Sequence, residues 1–159
     1  MNKKITSLGV LEFYQGKYGN GFTGKVNMNL FSKGYSVNIR FNLHDNGFDS
    51  LSDEMITAAQ NCLNAINNQT DVIEQAIKDY YDDVAKDRAE EGWCDYVEMD
   101  DLNQLAQVMK PEELYISCGS SWIRVGLYFI CNWDEECGFG IRFDGNGKIV
   151  RLGTGDVVY

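Results

Sequence analysis

The chain has 159 residues, of which 44% are hydrophobic and 13% aromatic, and its 24 acidic side chains against 14 lysines and arginines give a net charge of −10. Length and composition predict one globular domain spanning residues 1–159 and exclude a disordered chain. The negative charge argues against nucleic acid and anionic membrane as ligands, and no run of about 20 apolar residues is present to cross a bilayer.

The N-terminal part, residues 11–43, has the alternation of β-strands. Strands are predicted at Leu11–Tyr14 and Gly24–Phe31, with a turn at Ser32–Gly34. From Tyr35 to Leu43 every second residue is apolar, which predicts a strand with one buried and one solvated face. This pattern is typical of an antiparallel sheet that is covered on one side.

The hydrophobic period changes between residues 52 and 110, where three helices are predicted. The first is capped by Ser50 or Ser52, and its apolar stripe comprises Met55, Ala58, Ala59, Cys62, Leu63 and Ile66. The second begins at Thr70 or Asp71, and its stripe comprises Val72, Ile73, Ala76, Ile77, Tyr80, Tyr81, Val84 and Ala85. The short connection between them predicts a helical hairpin. A short third helix, Leu102–Met109, is capped by Asp100 or Asp101.

Strands return between residues 114 and 153. They are predicted at 114–118, 122–131, 138–143 and 148–152, the last two joined by the turn Asp144–Gly147. Strands, helices and strands follow one another without βαβ alternation. The predicted fold is therefore α+β, an antiparallel sheet of N-terminal and C-terminal strands with the helical hairpin and the short third helix packed on one face.

No pattern of residues indicates catalytic, cofactor-binding or metal-binding chemistry. The single histidine, His44, stands beside an Asp-Asn-Gly turn, the usual setting of a surface histidine. Cys131 and Cys137, the closest pair of cysteines, lack the spacing of zinc ligands. Phosphate-loop and calcium-loop patterns also fail to match. We therefore expect no cofactor and no metal, and a protein that is not an enzyme.

The negative charge is concentrated in the helical segment. Residues 1–44 carry six Lys/Arg and one acid, residues 45–113 four Lys/Arg and eighteen acids, and residues 114–159 four Lys/Arg and five acids. Such a segment attracts basic partners, although it is also typical of a merely solvated helix face. We predict a basic protein partner at this segment and at the aromatic-acidic turn after Cys131. The predicted partner-binding residues are Asp79, Asp82, Asp83, Asp87, Glu90, Glu91, Trp133, Asp134, Glu135 and Glu136.

The predicted compartment is the cytoplasm. The N-terminus has no continuous apolar region, because Thr6, Ser7, Gly9 and Glu12 interrupt it, which argues against a secretory signal. The five cysteines are odd in number and scattered among apolar neighbours, as in a reducing compartment.

The C-terminal third resembles an uncharacterised bacterial domain family. The resemblance lies in Phe129–Phe143, which contains a Trp-Asp-x-Glu-x-Gly-x-Gly motif from Trp133 to Gly140, and in the following Gly-Lys-Ile hairpin. It implies an immunity protein of a polymorphic toxin system, which binds and blocks a toxin. Cys137 stands where relatives often carry histidine, and this departure favours a structural or binding role. The alternatives are a non-catalytic housekeeping or regulatory scaffold domain, including a dimeric one, and an enzyme of unrecognised type.

Overall fold

The computed structural model describes residues 2–17, 19–43 and 51–159. The predicted surface histidine, His44, its neighbouring turn and the capping candidate Ser50 lie outside the described residues. The other capping candidate, Ser52, is confirmed, because its hydroxyl accepts a hydrogen bond from the Met55 amide at 3.2 Å.

One sheet contains eight strands in chain order within the described residues. The first four are β1 (Lys3–Thr6), β2 (Gly9–Gly16), β3 (Gly19–Leu30) and β4 (Lys33–Asn42). The last four are β5 (Met109–Cys118), β6 (Ile123–Cys131), β7 (Phe139–Phe143) and β8 (Ile149–Thr154). Between the two groups lie helix α1 (Asp53–Asn68), helix α2 (Thr70–Glu90) and a 3₁₀ helix (Leu102–Gln107). A terminal 3₁₀ turn, Gly155–Val158, follows β8.

The α+β prediction is confirmed in its coarser form, with strands as the larger part. Neighbouring strands are antiparallel except β4 and β5, which pair in parallel. This pair corrects the expectation of a purely antiparallel sheet. A parallel pair requires a long crossover, and the helical segment between residues 53 and 107 provides it.

The core lies between the helices and the face of the sheet that we call the inner face. Alternate residues of the central strands form this face, among them Phe22, Ile39, Phe41, Leu114, Leu127 and Ile141, all fully buried. All six residues of the predicted α1 stripe are buried, which confirms that prediction. The α2 prediction was partly wrong, because Val72 is 63% exposed and Glu74 is 4% exposed. The arc of α2 that meets the core is narrower than the predicted stripe.

Several predicted boundaries also differ. The turn between β3 and β4 is formed by Phe31 and Ser32, with φ angles of 54° and 57°, one residue earlier than predicted. The amide of Phe31 donates to the buried carboxylate of Glu74, which fixes this left-handed turn against α2. The third helix is a 3₁₀ helix capped by Asp101, and it ends early because β5 already begins at Met109.

The opposite face of the sheet, which we call the outer face, is partly covered by the terminal 3₁₀ turn. Val157 and Val158 pack on a patch of β6, β7 and β8 where glycines leave room. A Cβ atom on Gly126 would lie 2.4 Å from Cβ of Val158, and one on Gly140 would lie 2.8 Å from Cγ2 of Val157. The second glycine of the C-terminal motif is therefore required by packing.

Candidate functional site

Four of the predicted binding residues form an exposed stripe along α2. Asp79, Asp83, Asp87 and Glu90 stand at positions i, i+4, i+8 and i+11, which places them on one side of the helix. Lys86 lies in the same stripe, and Glu91 follows the last residue of the helix. Because the buried residues of α2 point the other way, these carboxylates face the solvent. We call Asp79, Asp83, Asp87 and Glu90 the α2 stripe.

Asp82 differs from the stripe because it makes structural contacts. Its carboxylate forms an ion pair with Lys78 at 2.5 Å and accepts a hydrogen bond from the Tyr96 hydroxyl at 3.1 Å. Burial of Tyr96, followed by the hydrogen bond to Asp82 and the charge of that carboxylate, raises the pKa of Tyr96 to about 12. Asp82 therefore ties α2 to the segment that follows it.

Trp133 lies in the core, which corrects the prediction of an exposed hot spot on a loop. Its side chain is 3% exposed, and its ring lies 5.2 Å from the Tyr81 ring and 5.9 Å from the Phe139 ring between centroids. An indole in this position contributes apolar burial and aromatic packing. Trp133 thus stabilises the fold, and almost all of its surface is buried.

Asp134 has a structural role as well. Its carboxylate forms an ion pair with Arg88 at 3.0 Å and accepts a hydrogen bond from the Cys137 amide at 3.0 Å. Arg88 also donates to the carbonyl of Trp133 at 3.0 Å. These contacts join the end of α2 to the turn after β6. The structure therefore brings the two predicted binding segments together, and Arg88 is the connection.

A cavity of about 630 Å³ lies where these two segments meet. The exposed carboxylates of Glu135 and Glu136 line it together with that of Asp95, and Trp93 forms part of its wall. The Trp93 side chain is 77% exposed. We call this cavity the acidic groove. Trp93 was not among the predicted binding residues, and the one available signal in the sequence was its position beside several acids.

Burial raises the pKa of two thiols in this region, Cys94 and Cys131. Desolvation, opposed by the charge of Arg88, raises the pKa of Cys94 above its ordinary value. Desolvation also raises the pKa of Cys131 to about 12, so this thiol is protonated at neutral pH. Across residues 2–17, 19–43 and 51–159, no group of three or more histidines, cysteines or acids is arranged to hold a metal ion. The groove offers fixed negative charge and an exposed indole, which are features of a binding surface.

The comparisons with known proteins identify the family. The model of the family described as "Domain of unknown function (DUF6985)" matches residues 7–159, and the chain belongs to that family. Neither the curated proteins nor the solved structures include a match. The helices within the described part of the chain are too short or too polar to cross a membrane.

Proposed function

We propose that this member of the DUF6985 family is a cytoplasmic acidic binding protein, an immunity-type inhibitor that binds a basic toxin. The observation that carries the proposal is the placement of exposed carboxylates beside one another on the α2 stripe and around the acidic groove. The surface that we assign to the partner comprises both regions.

Long-range electrostatics support a role in fast association. The segment from residue 45 to residue 113 has eighteen acids and four Lys/Arg, and most of the α2 acids are free of ion pairs to basic side chains in the described structure. Such a potential raises the association rate of a basic protein by about 10-fold to 1000-fold, and salt weakens it. An inhibitor that must reach its target before damage occurs benefits from this effect.

The acidic groove supplies an anchoring position within that surface. A lysine or arginine side chain of the partner would contact the Trp93 indole by a cation–π interaction and the Glu135 and Glu136 carboxylates by ion pairs. Exposed aromatic residues of this kind are frequent binding hot spots. The Arg88–Asp134 ion pair fixes the walls of the groove, so little ordering is needed when the partner binds.

The alternative is a housekeeping or regulatory scaffold domain that forms a dimer. One observation favours it: β1 is an edge strand, and its residue Ile5 and the paired residue Val10 of β2 are 83% and 54% exposed. An exposed apolar edge strand is suited to pairing with a second copy. In that case the α2 stripe would only keep the protein in solution.

The experiment is affinity capture from the native host with matched charge variants. The first variant, Glu90→Gln with Glu91→Gln, removes two acids at the end of α2. The control, Asp53→Asn with Glu54→Gln, removes two exposed acids from the first turn of α1. We expect the parent and the control to capture a basic protein at moderate salt. The first variant should not capture it under the same conditions.

Co-expression then tests inhibition. The captured basic protein should be toxic when expressed alone, and the parent chain should suppress that toxicity. Equal binding of the captured protein to both variants would contradict the proposal and favour the scaffold. The same conclusion would follow if no toxin is captured and sedimentation detects a dimer that β1 substitutions disrupt.

A further inference from the structure

Three of the five arginines lie together on the outer face of the sheet. Arg142 of β7 is the direct cross-strand partner of Arg151 of β8. Arg142 also faces Gly126 of β6, and Arg124 is two residues from that glycine on the same strand, so Arg124 is a diagonal neighbour of Arg142. Direct partners have Cβ atoms about 5 Å apart, and diagonal neighbours are about 7–8 Å apart. We call these three residues the arginine cluster.

The arginine cluster differs from the other two arginines because it forms no ion pair with an aspartate or glutamate side chain. Arg40 pairs with Glu113 at 2.8 Å and Arg88 pairs with Asp134 at 3.0 Å. In the described part of the chain, no ion pair connects the cluster to an aspartate or glutamate side chain. The nearest acid along β7 is Asp144, and its carboxylate instead accepts hydrogen bonds from the Asn146 and Lys148 amides at 2.9 and 3.0 Å.

One member of the cluster is held in place by contacts within the chain. The Arg124 guanidinium lies 5.0 Å from the centre of the Trp122 ring and donates a hydrogen bond to the backbone oxygen of Tyr159 at 2.5 Å. These contacts orient the guanidinium, and neither of them involves an aspartate or glutamate side chain. Arg151 is exposed and Arg142 is half-buried, so solutes can reach both side chains from the solvent.

Like charges that face each other across two strands destabilise a sheet. An anion between the guanidinium groups makes the total electrostatic energy of the cluster favourable, because it attracts each of them. Planar guanidinium groups bind the oxygens of phosphate in pairs of hydrogen bonds. A phosphate monoester carries a charge of about −1.5 to −2, which compensates three arginines better than a single carboxylate does.

We propose that the arginine cluster is a binding site for a phosphate group. This site is separate from the acidic surface, since it lies on the outer face of the sheet whereas α2 covers the inner face. Free phosphate and the terminal phosphate of a small phosphate ester share the recognised chemistry. The site depends on none of the residues assigned to the basic partner.

The test is thermal unfolding with increasing inorganic phosphate, with acetate and sodium chloride at equal ionic strength as references. The first variant is Arg151→Gln, which should leave the fold intact because Arg151 is exposed. The second variant, Arg142→Gln, tests the centre of the cluster. The control is Lys25→Gln, which removes an exposed cation from the outer side of β3. We expect phosphate to raise the melting temperature of the parent more than acetate or chloride does. The apparent phosphate affinity should fall about tenfold in both arginine variants and remain unchanged in the control.

A second readout separates ligand binding from general salt effects. Without phosphate at low salt, Arg151→Gln should melt about 1 °C higher than the parent, since the like-charge pair is removed. Adenosine monophosphate distinguishes the sources: tighter binding than inorganic phosphate assigns the site to a phosphate ester, and equal binding assigns it to the free ion. Equal stabilisation of Lys25→Gln and the arginine variants by phosphate, or no stabilisation of the parent, overturns the proposal.

Discussion

The position of Trp133 in the core leads to a quantitative prediction about stability. The change is Trp133→Ala, with Trp93→Ala as the matched control. Trp133 is 3% exposed and contacts the rings of Tyr81 and Phe139, whereas Trp93 is 77% exposed. The two variants remove the same side chain from opposite environments.

The expected magnitude follows from burial. Removal of a buried tryptophan destabilises a protein by about 3–5 kcal/mol, because the apolar contacts are lost and a cavity remains. For a chain of this size, 1 kcal/mol corresponds to about 2–4 °C in melting temperature. Trp133→Ala should therefore lower the melting temperature by roughly 6–20 °C, and Trp93→Ala should change the free energy of unfolding by less than about 0.5 kcal/mol.

The assay is urea unfolding followed by circular dichroism, which does not depend on the tryptophan that is removed. Trp93→Ala should also weaken capture of the basic partner, whereas its fold remains intact. A loss below about 1 kcal/mol for Trp133→Ala, or equal losses for the two variants, would refute the assignment of Trp133 to the core.

The remaining predictions concern three other positions in the structure. Gly126→Ala should destabilise the protein by about 1–3 kcal/mol in urea unfolding, since its Cβ would meet Val158, whereas Gly145→Ala, with nothing within 4 Å, should be nearly neutral. Burial raises the pKa of Glu74 above its ordinary value, so its contribution to stability is greatest at low pH, where the carboxyl is protonated in both states, and declines as pH rises. The stability of Glu74→Gln relative to the parent should therefore increase as pH rises above 4.5 in urea unfolding, and a difference that is independent of pH contradicts this. Glu90→Gln with Glu91→Gln should raise the free energy of unfolding by about 0.3–1 kcal/mol at low salt, because acids at a helix C-terminus oppose the helix dipole, and a decrease contradicts this.

The spacing of apolar residues correctly predicted the elements whose buried face depends on residues close in sequence. The α1 stripe was correct because six residues at helical spacing fit one buried face. The same spacing gave a wrong prediction at Val72 and Glu74, because the elements that pack against α2 determine which of its positions are buried. A buried glutamate cannot be foreseen from spacing, because its partner is the Phe31 amide of a distant turn.

The candidate site was predictable only in part, for a related reason. The exposed acids of α2 follow from composition and helical period. The burial of Trp133 was not predicted, because a tryptophan after a strand has the same pattern whether it turns inward or outward. The contact that decides its direction, between Arg88 and the turn, joins residues 45 positions apart. The arginine cluster depends on the register of three strands, which the sequence does not specify.

The most direct test of the binding account is the association rate of the captured basic partner as a function of salt. We predict that the rate constant for the parent falls about tenfold or more between low and high salt. Glu90→Gln with Glu91→Gln should associate more slowly than the parent at low salt, and Asp53→Asn with Glu54→Gln should not. A rate constant that is independent of salt and equal in the two variants would contradict the account.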